Sequence, residues 1–246
     1  MDKLTTFIIV GFLAQLIDGT MGMAYGVSAT TFLLFLGVPP AVASASVHAA
    51  KMATTLISGV AHYRFGNVRI HLVKRLVISG VLGAGLGAWV LGNTESDIIK
   101  PVVAAYLLLM GVFILLKARG HVPGQDDIRT HIIPLGFGGG FLDAVGGGGW
   151  GPIVTSTLLA RGNHPRFTIG SVNLAEFFVS VAASTTFILT IGLSYWTAIA
   201  GLAIGGVVAA PLAAYLCKHV PTRALMYFVG ALIMALSLRT LLTFLL

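Results

Sequence analysis

Long apolar stretches separated by short polar segments run along the whole chain. The first begins at Leu4, and the others cover residues 41–61, 72–91, 98–116, 132–160, 167–191, 196–216 and 224–246. A helix needs about 20 apolar residues to cross a bilayer, and in lipid only helices and closed barrels satisfy the backbone. The alternation typical of membrane barrel strands does not occur in these stretches. The pattern therefore predicts an all-α polytopic membrane protein. No small-residue cleavage site follows the first stretch, so we expect it to be part of the fold.

Composition and charge support this assignment. Of the 246 residues, 57% are hydrophobic and 9% are charged, whereas soluble domains have about 25% charged residues. The net charge of +7 comes from Lys and Arg residues grouped between the apolar stretches, which is typical of membrane topology signals. We therefore expect a multi-pass protein of the cell membrane that contacts the lipid bilayer and no nucleic acid. The lone Cys217 excludes an internal disulfide, the histidines lack metal-ligand spacing, and we expect no metal and no cofactor.

The chain contains an internal repeat with an offset of 125 residues. Between residues 11 and 50, 13 of 40 positions are identical to the residues 125 positions later. The polar and glycine matches are the most informative, because shared apolar composition does not explain them. They include Asp18 with Asp143, Gly22 with Gly147, Gly26 with Gly151, Thr30 with Thr155, and Ser46 with Ser171. We predict a first membrane repeat at 1–120, a cytoplasmic linker at 121–131 and a second membrane repeat at 132–246.

Several short motifs in the two repeats resemble the sulfite exporter TauE/SafE family of membrane permeases. They are DGTMG at 18–22, DAVGGG at 143–148, ASVHAAK at 45–51, GSVNLAE at 170–176, and the segment 62–68, which ends in GNV. The resemblance extends over the whole chain. It implies the export or import of small sulfur-containing anions such as sulfite and organosulfonates.

Each repeat begins with an apolar segment that glycines interrupt. In the first repeat the legs are 4–18 and 27–36 around 19–26, and in the second they are 132–143 and 152–160 around 146–149. Neither leg reaches about 20 residues, which leaves two interpretations. As one broken span, the segment gives each repeat four crossings and the same orientation. As a re-entrant hairpin, it gives each repeat three crossings and inverts one repeat relative to the other.

The distribution of basic residues favours inverted repeats. In the inverted arrangement, 11 of the 15 Lys and Arg residues lie on the cytoplasmic side, as the positive-inside tendency requires. These residues are Arg64, Arg69, Lys74, Arg75, Lys117, Arg119, Arg129, Arg161, Arg166, Lys218 and Arg223. The loop that contains Glu95 and Asp97 then faces outward.

The glycine interruptions predict an anion site. A non-helical turn at membrane depth must be covered by protein or line a wet cavity, so we expect the two turns to meet near the middle of the molecule. The short helix after each turn begins with free amide groups at its positive dipole end, and Pro152 fits such a first turn. The predicted substrate-binding glycines are Gly22, Gly26, Gly147, Gly148, Gly149 and Gly151. The alternative is that these glycines only allow close helix packing.

Asp18 and Asp143 occupy the same position of the repeat, at the end of the first leg. A carboxylate inside a membrane costs at least about 2.5 to 3.5 kcal/mol, and beside an anion it repels the substrate unless it is protonated. Both aspartates are therefore candidates for proton coupling. The alternative is that each accepts hydrogen bonds from the backbone amides of its own turn.

Polar residues on the helix after each hairpin complete the candidate site. Lys51 and Glu176 are equivalent by repeat, and we expect them either to form an ion pair across the pseudo-twofold axis or to act on the substrate. In the second case Lys51 attracts the anion, and Glu176 is a further proton-coupling candidate. The predicted hydrogen-bonding residues for an oxyanion are Ser46, His48, Ser171 and Asn173.

Together these features predict a secondary active transporter, in the export direction, of small sulfur-containing anions that works by alternating access. The chain has no Walker A motif, and we expect it not to be an enzyme. A passive anion channel is the main alternative, because the same glycine turns permit it. An intramembrane aspartyl protease is a weaker alternative, since Asp143 follows Gly-Phe-Leu rather than the Gly-x-Gly-Asp pattern of that family.

Overall fold

The computed structural model describes residues 3–119, 131–161, 163–216 and 222–245, and within these ranges the regular secondary structure is entirely helical. This confirms the all-α prediction. The predicted linker lies outside the described residues except for His131, as do Arg129, Cys217 and Lys218. The helices are α1 (Lys3–Met21), α2 (Tyr25–Phe35), α3 (Pro40–Arg64), α4 (Ile70–Gly92), α5 (Ser96–Ala118), α6 (Ile132–Gly146), α7 (π-helical over Trp150–Thr155, then α-helical over Ser156–Ala160), α8 (Pro165–Thr190), α9 (Trp196–Leu216) and α10 (Thr222–Leu245).

Five described helices are long and apolar enough to cross a membrane. They are α1, α4, α5, α8 and α9, and they confirm a multi-pass membrane protein. Helix α3 has 25 residues, but it carries His48, Lys51 and His62, which lower its hydropathy. These polar residues are buried, so α3 lies inside the helical bundle.

Each interrupted segment folds back on itself as a helical hairpin. The Phe7 ring on α1 and the Phe32 ring on α2 pack edge to face with centroids 6.3 Å apart, which requires α2 to return along α1. In the second repeat, Gly139 on α6 lies against Val154 and Trp150 on α7. Each interrupted segment is therefore a helical hairpin and not a straight broken span. That the hairpins are re-entrant stays a prediction, because α1 alone is long enough to cross a membrane.

The first hairpin turns later than the sequence predicted. Helix α1 has 19 residues and continues through Gly19 to Met21, so the non-helical turn contains only residues 22–24. The prediction of a break from Gly19 onward was wrong, because Thr20 donates its hydroxyl to the carbonyls of Leu16 and Ile17 inside the helix. Gly19 serves for close packing against Ala213 of α9.

The first helix of each repeat packs against a helix of the other repeat. Helix α1 packs on α9 and its equivalent α6 packs on α4, while α3 contacts α9 as α8 contacts α4. Small residues make this possible, since Gly11 lies against Leu202 and the equivalent Gly136 lies against Ser79. Most of the buried core therefore lies between the repeats rather than within one of them.

Two further contacts pair a helix with its own equivalent in the other repeat. On α3 and α8, Lys51 contacts Glu176 and Ser58 contacts Asn173, so residue numbers rise along α3 as they fall along α8. Helices α5 and α10 show the same relation, because Gly111 lies against Met234 while Leu115 lies against Gly230. In both pairs the two equivalent helices therefore run in opposite directions.

Candidate functional site

Asp143 is the centre of a buried polar network between the repeats. Its Oδ1 accepts hydrogen bonds from the amides of Gly149 at 2.7 Å and Trp150 at 3.0 Å. Lys51 Nζ lies 3.2 Å from Oδ1 and 3.0 Å from Oδ2, and His48 Nε2 lies 3.0 Å from Oδ2. Five donor contacts to one carboxylate hold Asp143 as an anion and fix its orientation.

Lys51 connects this network to the other half of the site. Its Nζ lies 2.6 Å from Glu176 Oε1, so the predicted ion pair between these two equivalent residues is present. Lys51 belongs to the first repeat, whereas Asp143 and Glu176 both belong to the second. The Lys51 side chain is 1% exposed, and such a desolvated ammonium requires the carboxylates around it.

His48 lies on the other side of Asp143. Its Nε2 lies 3.0 Å from the Asp143 carboxylate, and its Nδ1 lies 2.8 Å from the carbonyl oxygen of Ser44 and 3.3 Å from the Ser44 hydroxyl. Ser44 in turn donates its hydroxyl to the carbonyl of Ala144 at 2.6 Å, which joins α3 to the end of α6.

Asp18 occupies the equivalent repeat position but has different surroundings. Its Oδ1 accepts a hydrogen bond from the Tyr25 amide at 3.2 Å, whereas its Oδ2 is buried and has no partner among the described residues. The repeat explains the difference, because Asn173 stands where the other half has His48, and Glu176 stands where it has Lys51. The side-chain amide of Gln15, three residues earlier on α1, also lacks a partner in the described part of the chain.

The two hairpin turns meet, as the sequence predicted. Thr30 donates its hydroxyl to the Gly147 carbonyl at 2.8 Å, and the equivalent Thr155 donates to the Gly22 carbonyl at 2.7 Å. Gly22 and Gly147 have φ values of +68° and +67°, a left-handed conformation that favours glycine. These crossed bonds tie each turn to the short helix of the other repeat. The two threonines were matched in the repeat, but the sequence did not indicate their role.

The glycines of the turns pack backbone against backbone. Gly26 lies against Gly147 and Gly148, and the equivalent Gly151 lies against Gly22. Gly149 lies against Tyr106 of α5, whose hydroxyl donates to the Gly148 carbonyl at 3.1 Å. Close packing, the alternative role for these glycines, is thus present in the structure. The amides of residues 25, 149 and 150 donate to the two aspartates, so the aspartates cap their turns.

We expect the packing at Gly148 to be intolerant of even one methyl group. An added Cβ at Gly148 would overlap the backbone of Gly26 and Val27, whereas one at Gly138 would meet no atom within 4 Å. Gly148→Ala should therefore destabilise the protein by about 1 to 3 kcal/mol through overpacking, and Gly138→Ala should not. Thermal unfolding of the two purified variants in the same detergent measures this, and equal unfolding temperatures would contradict the close contact of the turns.

The other predicted oxyanion ligands lie further from Lys51 along their helices. Ser46 donates its hydroxyl to the Val42 carbonyl at 2.7 Å, and the equivalent Ser171 accepts from the Arg69 amide at 2.8 Å. Asn173 accepts from the Ser58 hydroxyl at 3.0 Å. The structure thus brings His48 and Lys51 together with Asp143 and Glu176, and it gives the two serines and the asparagine their own hydrogen bonds. Among the described residues, no group of three or more His, Cys, Asp or Glu residues is arranged to hold a metal ion.

A second polar chain links the corner between α3 and α4 to the first hairpin. Arg166 Nε donates to Asn67 Oδ1 at 2.6 Å, and Asn67 Nδ2 lies 3.1 Å from His62 Nδ1. His62 Nε2 lies 3.0 Å from the Gly19 carbonyl. The 62–68 motif therefore connects the start of α8 to the residue that follows Asp18.

Comparisons with known proteins point to membrane transport. The chain matches the sulfite exporter TauE/SafE family over residues 7–240. It is 44% identical to a probable membrane transporter protein, YtnM, of Bacillus subtilis, over 98% of this chain and 83% of that protein. It is 27% identical to a probable membrane transporter protein of Haemophilus influenzae, over 72% of this chain and 73% of that protein. No solved structure matches the chain.

Proposed function

Because the chain belongs to the sulfite exporter TauE/SafE family of membrane transporters, we propose that it is a secondary active transporter that exports small sulfur-containing anions such as sulfite or organosulfonates. The proposal assigns transport to this chain, and no chemical conversion of the anion. The family description and the printed names of the relatives support membrane transport. The chemical class of the anion rests on the family description and on the charges of the buried network.

One observation carries the proposal: a buried ammonium group lies between the repeats and is held by carboxylates that an anion can replace. Lys51 comes from the first repeat, and its partners Asp143 and Glu176 come from the second. A small oxyanion presents the same acceptor atoms as a carboxylate, so it can take the place of Glu176 on Lys51 Nζ. His48 lies on the other side of Asp143, with its Nε2 3.0 Å from Asp143 Oδ2.

Alternating access follows from the position of this site. The anion binds where the two repeats meet, so a movement of one repeat against the other changes the side to which the site opens. Contacts of the anion with Gly22, Gly26, Gly147, Gly148, Gly149, Gly151, Ser46, Ser171 and Asn173 remain predictions. Asp18, Asp143 and Glu176 remain the candidates for the residue that couples transport to protons.

The site is proposed to lie in an inverted repeat. The opposite directions of α3 and α8 and of α5 and α10 support this arrangement, because a twofold axis in the membrane plane reverses every helix that it relates. Arg166 at the start of α8 bonds to Asn67 in the α3–α4 corner, which places the basic residues of these two segments at the same end of the molecule. Both features agree with the charge distribution along the chain.

Reporter tags test this topology. Insertions after Arg64 and after Arg161 should both report the cytoplasm, because the positive-inside tendency places both basic segments there. An insertion after Glu95 should report the outside and serves as the control. A cytoplasmic signal after Arg64 together with an outside signal after Arg161 would contradict inverted repeats and indicate parallel ones.

A binding measurement tests the substrate class. Purified protein in detergent is titrated with sulfite, thiosulfate, sulfate and methanesulfonate, and heat of binding is recorded. We expect at least one of the sulfur anions to bind saturably, and chloride at the same concentration not to bind. Failure of all four anions to bind the unmodified protein would contradict the proposed function.

A further inference from the structure

The buried network contains more negative than positive charge. Its carboxylates are Asp18, Asp143 and Glu176, which are 2%, 0% and 3% exposed, and the ammonium group of Lys51 lies among them. With every carboxylate ionised, Lys51 compensates only one of the three negative charges. Uncompensated charge in the interior of a membrane protein is costly, so at least one carboxyl group of the network must hold a proton, whatever the charge of His48.

The hydrogen bonds indicate which carboxylate holds that resting proton. Asp143 is surrounded by five donor contacts, and Glu176 is bonded to Lys51. Asp18 has one amide donor, and its buried Oδ2 has no partner among the described residues. Asp18 is also within electrostatic range of both other carboxylates. Asp18 is therefore the carboxyl group that stays neutral at rest.

Substrate binding changes the charge a second time. An anion that replaces Glu176 on Lys51 adds one negative charge and separates Glu176 from this ammonium group, its only ion-pair partner among the described residues. Charged and titratable groups face Glu176 from α1 (Asp18), α2 (Tyr25), α3 (Lys51) and α6 (Asp143). Lys51 is the cation among these groups, and when the anion is bound it pairs with the anion. Glu176 then regains neutrality only by taking up a proton.

We propose that Glu176 is the coupling residue and that the protein carries one proton together with each monovalent anion. The inference rests on the proposed function, because it requires the anion to bind at Lys51. The proton comes from water on the side to which the site is open, forms an O–H bond at the Glu176 carboxylate, and leaves on the other side after the anion has gone. Asp18 keeps its proton throughout, and Asp143 remains ionised and holds Lys51.

In this mechanism the anion and the proton cross the membrane in the same direction. Anion binding and protonation of Glu176 favour each other, so the two equilibria are reciprocally linked. Transport then follows the sum of the anion and proton gradients. A high internal concentration of the anion drives export with a proton, and an inward proton gradient drives uptake through the same site.

The pH dependence of binding tests the inference. Methanesulfonate serves as the probe, since it is monovalent and its charge does not change between pH 6 and 8. In the unmodified protein, affinity should fall by up to about tenfold per pH unit over this range, because one proton is taken up on binding. In Glu176→Gln the glutamine mimics the protonated acid, and affinity should vary by less than about twofold. Asp18→Asn and the exposed-loop control Glu95→Gln should keep the dependence of the unmodified protein.

Proton movement gives a second, independent measurement. Vesicles that contain the protein and an internal pH dye should alkalinise when the probe anion leaves, and Glu176→Gln should exchange anion without this signal. An undiminished pH dependence or proton signal in Glu176→Gln would overturn the inference, as would their loss in Asp18→Asn alone. If the unmodified protein binds none of the four anions, the proposed function fails; if it binds them and Glu176→Gln behaves identically, only the coupling assignment fails.

Discussion

Lys51→Met should abolish anion transport and destabilise the folded protein by about 3 to 5 kcal/mol, the usual cost of breaking a buried ion pair. Lys51 Nζ lies within 3.2 Å of both Asp143 oxygens and 2.6 Å from Glu176, so its loss leaves carboxylates buried without this cation. Methionine keeps most of the length of the side chain and removes the charge and the hydrogen-bond donors. Heat-induced unfolding in detergent and anion uptake into vesicles measure the two effects.

A double variant separates the structural role of Lys51 from its role in transport. Lys51→Met with Glu176→Gln removes the cation and one of its anionic partners, so much of the lost stability should return. Transport should still be absent, because the anion has no ammonium group to bind. Recovery of transport together with stability would show that Lys51 acts only as a structural ion-pair partner.

Asp143→Asn and Asp18→Asn should have very different effects, although the two aspartates occupy the same repeat position. Asparagine at 143 keeps an acceptor for the Gly149 and Trp150 amides, but its NH₂ group faces the donors Lys51 and His48. We expect this change to cost about 3 to 5 kcal/mol and to reduce uptake at least tenfold. Asparagine at 18 still accepts from the Tyr25 amide and mimics a neutral carboxyl group, so stability should change by less than about 1 kcal/mol.

The same pair decides between two proton-coupling hypotheses. In vesicles with an imposed proton gradient, Asp18→Asn should accumulate the anion within about threefold of the unmodified rate. If the aspartates carry the transported proton instead, Asp18→Asn should retain exchange and lose driven accumulation. Equal effects of the two substitutions would contradict the asymmetry that we infer from Oδ2 of Asp18 and from the five donors around Asp143.

The sequence predicted the hairpins and the meeting of their turns because glycine and aspartate recur at fixed repeat positions. It also paired Lys51 with Glu176 from their equivalence by repeat. It missed the contact of Lys51 and His48 with Asp143, because this contact depends on how deeply α6 penetrates beside α3. Tertiary packing decides that depth, through the hydrogen bond from the Ser44 hydroxyl to the Ala144 carbonyl and through the packing of α6 on α4 of the other repeat.

The sequence also did not predict where the turns begin and end, or which groups the backbone of the turn glycines contacts. A glycine-rich segment predicts close backbone approach but does not identify the partner, and at Gly26 and Gly151 the backbone of the other turn is in contact. Gly19 is helical and packs against Ala213 of α9, a neighbour that the sequence alone does not identify. By contrast, the sequence did indicate that Asp18 and Asp143 have different environments, because the repeat pairs Lys51 with Glu176 and His48 with Asn173.

Counterflow in reconstituted vesicles tests most directly that the protein is a carrier with its anion site at Lys51. Vesicles loaded with unlabelled thiosulfate or sulfite are diluted into a trace of the same labelled anion. We predict a transient accumulation of label above its equilibrium level, saturable by the unlabelled anion and absent in Lys51→Met. A passive channel gives label that rises to equilibrium without an overshoot. That result, or an equal overshoot in Lys51→Met, would contradict the account.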